Sequence, residues 1–208
     1  GPTTAPLSGL TSMTGHVDSR PEEAGISFGD PAAGLTAAFA VMASLIGRSK
    51  GTPPARIDVS LWEATAANAV ELWMGHALGS APLSRMGSRT PTAAPHGIFP
   101  CAADDAWISI ACMSDDQWAR FAALIGDQAL DDRFTSLAGR KANEDDLETI
   151  VSTFSAQHER WELTEMLQAA GIAAYPSLTC PEIEVNPQLV ERHFWERFDH
   201  PEVGERTH

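Results

Sequence analysis

The sequence predicts a mixed α/β chain: part of an α/β domain over residues 1–80, a linker over 81–95, a small α+β domain over 96–195 and a return linker over 196–208. Three observations support this division. A long apolar helical pattern begins near residue 30, and a strand-and-helix pattern follows it. The linker is rich in Pro, Gly, Ser and Thr, which interrupt regular structure. Alternating strand patterns and amphipathic helices then follow, without an internal repeat.

The first long helix is predicted from its apolar spacing. Leu35, Phe39 and Met42 recur at the helical period, and small residues fill the other faces. A helix that is apolar on most sides is expected to be buried. Asp30 is predicted to be its N-cap and Pro31 its first helical residue, because both residue types favour these positions.

Asp30 is also a candidate for chemistry. Gly29 before it and Gly34 after it, with small residues between, leave room for a bulky substrate to reach the carboxylate. A helix N-terminus favours the ionised carboxylate that a nucleophile needs. Capping and nucleophilic attack are compatible, and the spacing alone does not choose between them.

The rest of the first part is predicted to contain a strand over residues 56–60 that leads into a helix over 61–78. Ile57 and Val59 share one face of this strand, as the period of two requires. The helix carries Trp62 on its apolar face, where a tryptophan is typical of a core or an interface.

The small domain is predicted to open with a hairpin, whose strands cover residues 97–101 and 106–112. Ser114 then opens a helix with a capping-box-like pattern. The later elements are two amphipathic helices at 143–154 and 161–170, a strand at 172–175, a helical turn from Asn186 and a strand at 193–198.

The charge balance limits the partners. Acidic residues outnumber Lys and Arg by 28 to 14, which gives a formal net charge of −14. Because phosphate binding needs a positive field, nucleic acid is not expected as a partner. The acidic groups at 104–105 and 144–146 lack a further ligand at suitable spacing, so no metal is predicted.

The cysteines and the N-terminus indicate a cytoplasmic protein. The three cysteines are odd in number and far apart, unlike a disulfide framework or a zinc site. The most apolar stretch, 32–46, is shorter than a membrane span needs and contains Thr36 and Ser44, so no membrane partner is expected. The start lacks a signal-peptide pattern and an initiator Met, and it is expected to lie inside a longer protein or to follow a cleaved tag.

Several motifs, in order along nearly the whole chain, together resemble the family III CoA-transferases. An aspartate opens an alanine-rich helix at 29–34, a basic glycine turn follows at 48–51, and a strand ending in Ser leads to Glu-Ala at 57–64. Further matching segments are 1–3, 7–10, 14–15, 94–101, 132–134, 167–172 and 186–189. The segment 94–101 most resembles the branch that includes benzylsuccinate CoA-transferase.

The resemblance implies a fold, an activity and partners. Residues 1–80 would be the closing part of a large Rossmann-like α/β domain. The implied enzyme moves CoA from an acyl-CoA donor to a small carboxylic acid through a covalent intermediate on Asp30. Coenzyme A, as acyl-CoA, is therefore the implied cofactor and substrate, and the implied assembly is a homodimer.

Four further residues are substrate-binding candidates. Gly29 precedes the nucleophile, and Gly97 lies in the matching segment 94–101. His96 could polarise a substrate carbonyl, although a histidine hydrogen-bonded within a turn gives the same pattern. Arg89 could reach a CoA phosphate or a substrate carboxylate, although an ordinary solvated linker arginine gives the same pattern.

The sequence also departs from the family. Some members carry a glycine-rich loop before the segment matching 97–101, whereas this chain has Thr90-Pro-Thr-Ala-Ala-Pro95. The CoA-binding N-terminal half and the closing C-terminal segment are not found in these 208 residues. Two alternatives stay open: a relative of α-methylacyl-CoA racemase or of acyl-CoA lyases, in which an aspartate acts as a base, and a non-catalytic fragment that forms dimer contacts.

Overall fold

The computed structural model describes residues 1–23, 25–80 and 84–207 of the chain. The chain forms two compact units, Gly1–Ser88 and Arg89–His208. The boundary between them falls within the predicted linker 81–95, of which residues 81–83 lie outside the described residues.

The first unit is helical over its described residues. Its helices are α1 (Thr4–Leu7), α2 (Gly29–Ser49), α3 (Leu61–Ala67) and α4 (Val70–Ala77), with a 3-10 turn at Leu10–Ser12. The indole Nε1 of Trp62 donates to the carbonyl oxygen of Leu7 at 2.9 Å and so ties α3 to the end of α1. Gly29, at the start of α2, packs against Thr4 of α1 and Thr65 of α3.

Two predicted elements of this unit are wrong in detail. Residues 56–60 form no strand, and the described part of the unit contains no other strand with which they could pair. The predicted helix over 61–78 is two helices, because the N–H groups of Asn68 and Ala69 donate to carbonyls three residues back rather than four. Asn68 also binds the carbonyl oxygen of Ala64 with its side chain, which competes with the helical ladder.

The long helix α2 differs most from its predicted environment. Only Gly29 and Ala33 are buried along its 21 residues, whereas Leu35 and Phe39 are more than two-thirds exposed. The sequence predicted a buried helix, and within this structure that prediction is wrong. Among the described residues α2 is the one helix long and apolar enough to cross a membrane by length and composition, criteria that a core helix also meets.

The second unit is built on a three-stranded antiparallel sheet in the order β1 (His96–Pro100), β2 (Trp107–Ala111) and β3 (Ala173–Pro176). The predicted hairpin is confirmed, with Gly97 opposite Ile110. Helices α5 (Asp115–Ile125), α6 (Leu137–Ala142), α7 (Glu144–Ser155) and α8 (Arg160–Ala169) complete the domain. Ser114 caps α5 as predicted, since its hydroxyl accepts a hydrogen bond from the N–H of Gln117.

One core holds the second unit together. Phe99, Ile108 and Ile110 of the sheet pack with apolar side chains from the helices, and these side chains are almost fully buried. The helical members of this core include Trp118, Phe121, Leu147, Val151, Leu163 and Leu167. Alternating burial in β2 and amphipathic spacing in the helices account for this arrangement.

The end of the chain carries a second small sheet. After α9 (Cys180–Glu184) and α10 (Pro187–Glu191), β4 (Arg197–His200) pairs with β5 (Gly204–Thr207). The predicted strand at 193–198 therefore begins too early. The N–H groups of His193 and Phe194 donate back to carbonyls of residues 190 and 189, which closes α10 instead of extending the chain.

Candidate functional site

Asp30 lies in the first turn of α2 and is about half exposed, with 53% of its side-chain surface open to solvent. It is not the N-cap that the sequence predicted. The chain is already helical at Phe28, whose φ and ψ are −52° and −34°, so the helix begins at Gly29 and Asp30 is its second residue. Its half-exposed carboxylate lies near the positive end of the helix dipole.

The Asp30 carboxylate lies against Gly1, which also lies against Ser27. The Gly1 nitrogen lies 3.6 Å from Asp30 Oδ1. A methyl group placed on Gly1 would lie 2.7 Å from Asp30 Oδ2 and 2.8 Å from Ser27 Oγ. Gly1 therefore keeps open the space in which the carboxylate sits, and a larger residue would fill it.

Gly29 is buried, and its role in this structure is close packing. A methyl group on Gly29 would lie 2.9 Å from both Thr4 Oγ1 and Thr65 Oγ1. Its small size brings the start of α2 against α1 and α3. A backbone contact of Gly29 with substrate stays a prediction.

A narrow cleft lies next to Gly1. Gly1, against which the Asp30 carboxylate lies, is one of its lining residues, whereas Asp30 is not, and the free interior of the cleft is about the size of one water molecule before it opens to solvent. Its walls are mostly apolar, from Pro2, Ala5, Leu10, Ile26 and Phe28. The polar side chains along it belong to Thr11, Thr14, Glu23 and Ser27.

Thr11 is the unusual member of this lining. Its hydroxyl oxygen is buried and has no hydrogen-bond partner in the structure. By contrast, the hydroxyl of Thr14 binds the carbonyl oxygens of Thr11 and Glu22. A buried hydroxyl without a partner is unfavourable unless water or a ligand supplies one.

His96 and Gly97 lie in the second unit, at the start of β1, and both are half-buried. His96 pairs in the sheet with Ala111, and Gly97 pairs with Ile110. A methyl group on Gly97 would lie 3.2 Å from the ring of Phe99, so the glycine makes room for that core side chain. His96 and Gly97 are consecutive residues of β1, and their contact with substrate stays a prediction.

Arg89 is held by carboxylates of α7. Its Nε and Nη2 donate to Glu148 Oε1 and Oε2 at 2.8 and 2.6 Å, and Nη2 also donates to Asp145 Oδ1 at 2.5 Å. The hydrogen bond with Glu148 is the largest cause that raises the pKa of the guanidinium. A phosphate or a substrate carboxylate would have to displace these partners, so Glu148 and Asp145 compete with the predicted ligand for the Arg89 guanidinium.

Sequence reasoning did not single out Thr11 or Ser27. Residues 7–10 and 14–15 carried part of the family resemblance, but no local pattern indicated that the first 14 residues lie against Glu23 and residues 26–28. Among the residues that the structure describes, no group of three or more His, Cys, Asp or Glu side chains could hold a metal ion. The three cysteines are free thiols.

Comparison with known proteins gives one consistent family. The model of the family described as CoA-transferase family III matches residues 1–208. A probable CoA-transferase, Rv1866, of Mycobacterium tuberculosis is 28% identical over 213 residues, which cover 98% of this chain and 26% of that protein. A succinate–glutarate CoA-transferase of Agrobacterium fabrum is 26% identical over 89% of this chain and 46% of that protein.

Solved structures agree with the sequence comparison. A CAIB/BAIF family protein from Brucella suis superposes with a TM-score of 0.81 at 25% identity and covers 98% of this chain and 56% of that one. The chain thus spans about half, or less, of the length of the proteins that it matches.

Proposed function

This chain belongs to CoA-transferase family III, and from that premise we propose that it acts in the transfer of CoA from an acyl-CoA to a carboxylic acid, with Asp30 as the covalent nucleophile. The observation that carries the proposal is the placement of the Asp30 carboxylate: half exposed, in the first turn of an α-helix, and beside a cleft. Acyl-CoA and a small carboxylic acid are the substrates.

The chemistry divides one exchange into easier steps. The Asp30 carboxylate attacks the thioester carbonyl, and CoA leaves as a thiolate, which gives a mixed anhydride between Asp30 and the acyl group. The thiolate then attacks the aspartyl carbonyl, releases the donor acid and leaves an aspartyl-CoA thioester. The acceptor carboxylate attacks this thioester and expels CoA as a thiolate, which gives a mixed anhydride between Asp30 and the acceptor. The thiolate then attacks the acceptor carbonyl, forms the new acyl-CoA and releases the Asp30 carboxylate.

The protein contributes position and charge to these steps. The Asp30 carboxylate is half exposed, so it can reach a carbonyl carbon. The N–H groups of Asp30 and Ala32 already donate to the carbonyl oxygens of Ser27 and Phe28, and Pro31 has no N–H, so a side-chain donor is needed for the oxyanion that each attack creates. The hydroxyl of Ser27, which like the Asp30 carboxylate lies against Gly1, is the candidate donor to this oxyanion.

The proposal is tested by incubating the protein with acetyl-CoA or succinyl-CoA and a second acid, and by following the new CoA thioester by liquid chromatography. Asp30→Asn is expected to lower the rate by about 10³-fold or more, because the amide cannot act as the nucleophile. Asp116→Asn is the matched control, since Asp116 is also an exposed second residue of a helix, in α5. Full turnover in Asp30→Asn would contradict the proposal.

The same assay separates the racemase and lyase alternative. A racemase would exchange the α-hydrogen of the acyl group with deuterium from heavy water when no acceptor acid is present. A transferase is expected to show no such exchange and to require the acceptor. Deuterium uptake without the acceptor would therefore favour the alternative.

We further propose that the protein is a cytoplasmic homodimer. The support is the exposed apolar side of α2, where Leu35, Phe39 and Met42 lie open in the single chain. Exposed apolar patches of this kind are typical of surfaces that another protein surface covers. Light scattering coupled to size-exclusion chromatography would give twice the chain mass for a dimer, whereas the single-chain mass would contradict it.

A further inference from the structure

One exposed face of α2 carries an acid at one end and a base at the other. Asp30 and Arg48 are separated by about five turns of the helix, so their side chains leave it on the same side. The residues between them on this face follow at steps of three and four, as neighbours on one side of a helix do. They are Gly34, Ala38, Val41 and Leu45. All six residues are exposed in the single chain, and this face is called the α2 seam below.

Two copies of the α2 seam match each other when the helices run in opposite directions. A two-fold axis at the level of Phe39, midway between Asp30 and Arg48, would place the Asp30 of each copy level with the partner's Arg48. The same axis would place the small Gly34 level with the partner's larger Leu45. A parallel pair would instead bring like charges together at both ends of the helix.

The two end charges are available for this pairing. Among the described residues Arg48 forms no ion pair, and the ionic neighbour of the Asp30 carboxylate is the Gly1 nitrogen at 3.6 Å. The chain has a formal net charge of −14, so two copies repel each other in general. A surface on which opposite charges meet is therefore where a second copy approaches most favourably.

The apolar residues next to the α2 seam extend the surface. A stable interface buries about 800 Å² on each partner, which is more than one face of a single helix supplies. Leu35, Phe39 and Met42 lie beside the α2 seam on the same helix, and each is more than half exposed. The partner is therefore expected to cover these side chains too, with residues outside the helix pair.

From the matched charges and the spacing we infer that α2 packs against the α2 of a second copy in an antiparallel pair, and that the partner's Arg48 lies beside Asp30. The inference rests on the proposed function for the role of Asp30. It goes beyond the proposed homodimer because it assigns the interface and adds a residue of the partner to the site. A guanidinium has several N–H donors, so one that pairs with Asp30 keeps donors for an oxygen of the bound acyl group.

The charge pairing is tested by sedimentation equilibrium, which measures the dissociation constant of the dimer. Arg48→Glu is expected to raise this constant by about ten-fold or more, because both interface ion pairs become contacts between like charges. Asp30→Arg combined with Arg48→Glu restores opposite charges and is expected to recover most of the parent affinity, which excludes a folding defect. Arg56→Glu is the matched control and is expected to leave the constant unchanged, since Arg56 is 91% exposed and lies outside α2.

The antiparallel orientation is tested by cysteine cross-linking in a Cys180→Ser background, since Cys180 is exposed whereas Cys101 and Cys112 are buried. Ala38 lies next to the expected two-fold axis, so Ala38→Cys is expected to form a disulfide with the same residue of the partner in most of the protein. In Leu45→Cys the two thiols would be roughly 18 Å apart along the helix axes, so no disulfide is expected.

Three results overturn the inference, and they can be told apart from failure of the proposed function. A dimer that persists unchanged in Arg48→Glu, or that cross-links through Leu45→Cys instead of Ala38→Cys, overturns the inference but leaves a homodimer. A single-chain mass of the parent protein overturns both. None of these measurements requires CoA, so transfer through Asp30 can succeed without this interface, and the interface can form in a protein that does not transfer CoA.

Discussion

Gly29 packs so closely against Thr65 that a methyl group on the glycine would lie 2.9 Å from the threonine Oγ1. The same methyl group would meet Thr4 Oγ1 at 2.9 Å, so three helices approach one another at this point. The position of Asp30, one residue further along α2, depends on this approach. The close packing of Gly29 thus helps to fix the position of Asp30, the candidate nucleophile.

Gly29→Ala is expected to lower the free energy of unfolding by about 1–3 kcal/mol, since one methyl group would force α2 away from Thr4 of α1 and Thr65 of α3. Gly34→Ala is the matched control in the same helix, because nothing lies within 4 Å of a methyl group there. That control is expected to raise stability by about 0.5–1 kcal/mol through helix propensity. Urea denaturation measures both, and equal effects of the two substitutions would contradict the packing role.

Arg140 is fully buried and is expected to be a main support of the small domain. Its guanidinium donates to the carbonyl oxygens of Ala94 and Phe134 at 2.7 and 3.0 Å and to Asp115 at 2.8 Å. Arg140→Met would leave these carbonyls without partners and is expected to cost about 2–4 kcal/mol.

The comparison for Arg140 is Arg133→Met, at an arginine whose side chain is 40% exposed and paired with Asp131 and Asp146. Ion pairs at the surface contribute less than about 1 kcal/mol, so this variant is expected to stay close to the parent in chemical denaturation. A loss as large as that in Arg140→Met would show that burial is not the reason for the difference.

The buried thiol of Cys112 is expected to make the free energy of unfolding depend on pH in the alkaline range. Burial raises the pKa of its thiol to about 12 from an ordinary value of 9.0. Between these two values the folded state keeps the neutral thiol while the unfolded state ionises. The contribution of Cys112 to the free energy of unfolding is therefore fully present below pH 9 and is lost as the pH rises toward 12. The slope from this group is about 1.4 kcal/mol per pH unit within that window.

The measurement is the free energy of unfolding between pH 8 and pH 10.5 in the parent and in Cys112→Ala, with about 1.4 kcal/mol per unit as the largest expected difference in slope. Groups shared by the two proteins, such as Tyr175 and Cys101, cancel in the comparison. Parallel curves would contradict the assignment to Cys112.

The exposed side of α2 is expected to tolerate polar substitution within the single chain. Phe39 is 71% exposed, whereas Phe121 in the second unit is fully buried. Phe39→Ser is expected to change the free energy of unfolding by less than about 0.5 kcal/mol, and Phe121→Ser to cost about 3–5 kcal/mol. If the proposed dimer uses α2, Phe39→Ser also lowers the apparent mass in light scattering, and an unchanged dimer would place the interface elsewhere.

The sequence predicted the small domain well because its signals are local. Alternation of apolar residues defines the hairpin of β1 and β2. Ser114 caps α5 and Asn186 caps α10 by accepting hydrogen bonds from N–H groups at most three residues further along the chain. The predicted environment of α2 was wrong, since periodicity reports that a face is apolar but not what covers it. The strand at 56–60 failed for a related reason: a strand needs a partner, and none lies in the described part of that unit.

The candidate site likewise contains features that the sequence indicated and features that it did not. Asp30 could be identified from its position at the start of a helix and from the family resemblance, although the cap assigned to it belongs to Phe28. The close contacts of Gly29 and the unpaired hydroxyl of Thr11 arise from tertiary packing, so no spacing in the sequence indicates them. Arg89 was noted for its charge, whereas its carboxylate partners lie more than 50 residues away.

The central claim, that Asp30 becomes covalently modified by the acyl donor, is tested most directly by trapping. The protein is mixed with acyl-CoA, treated with hydroxylamine and digested, and the peptide that contains residue 30 is examined by mass spectrometry. A hydroxamate at Asp30, absent without acyl-CoA and absent when Asp116 is examined in the same digest, is the expected result. An unmodified Asp30 in protein that transfers CoA would contradict the claim.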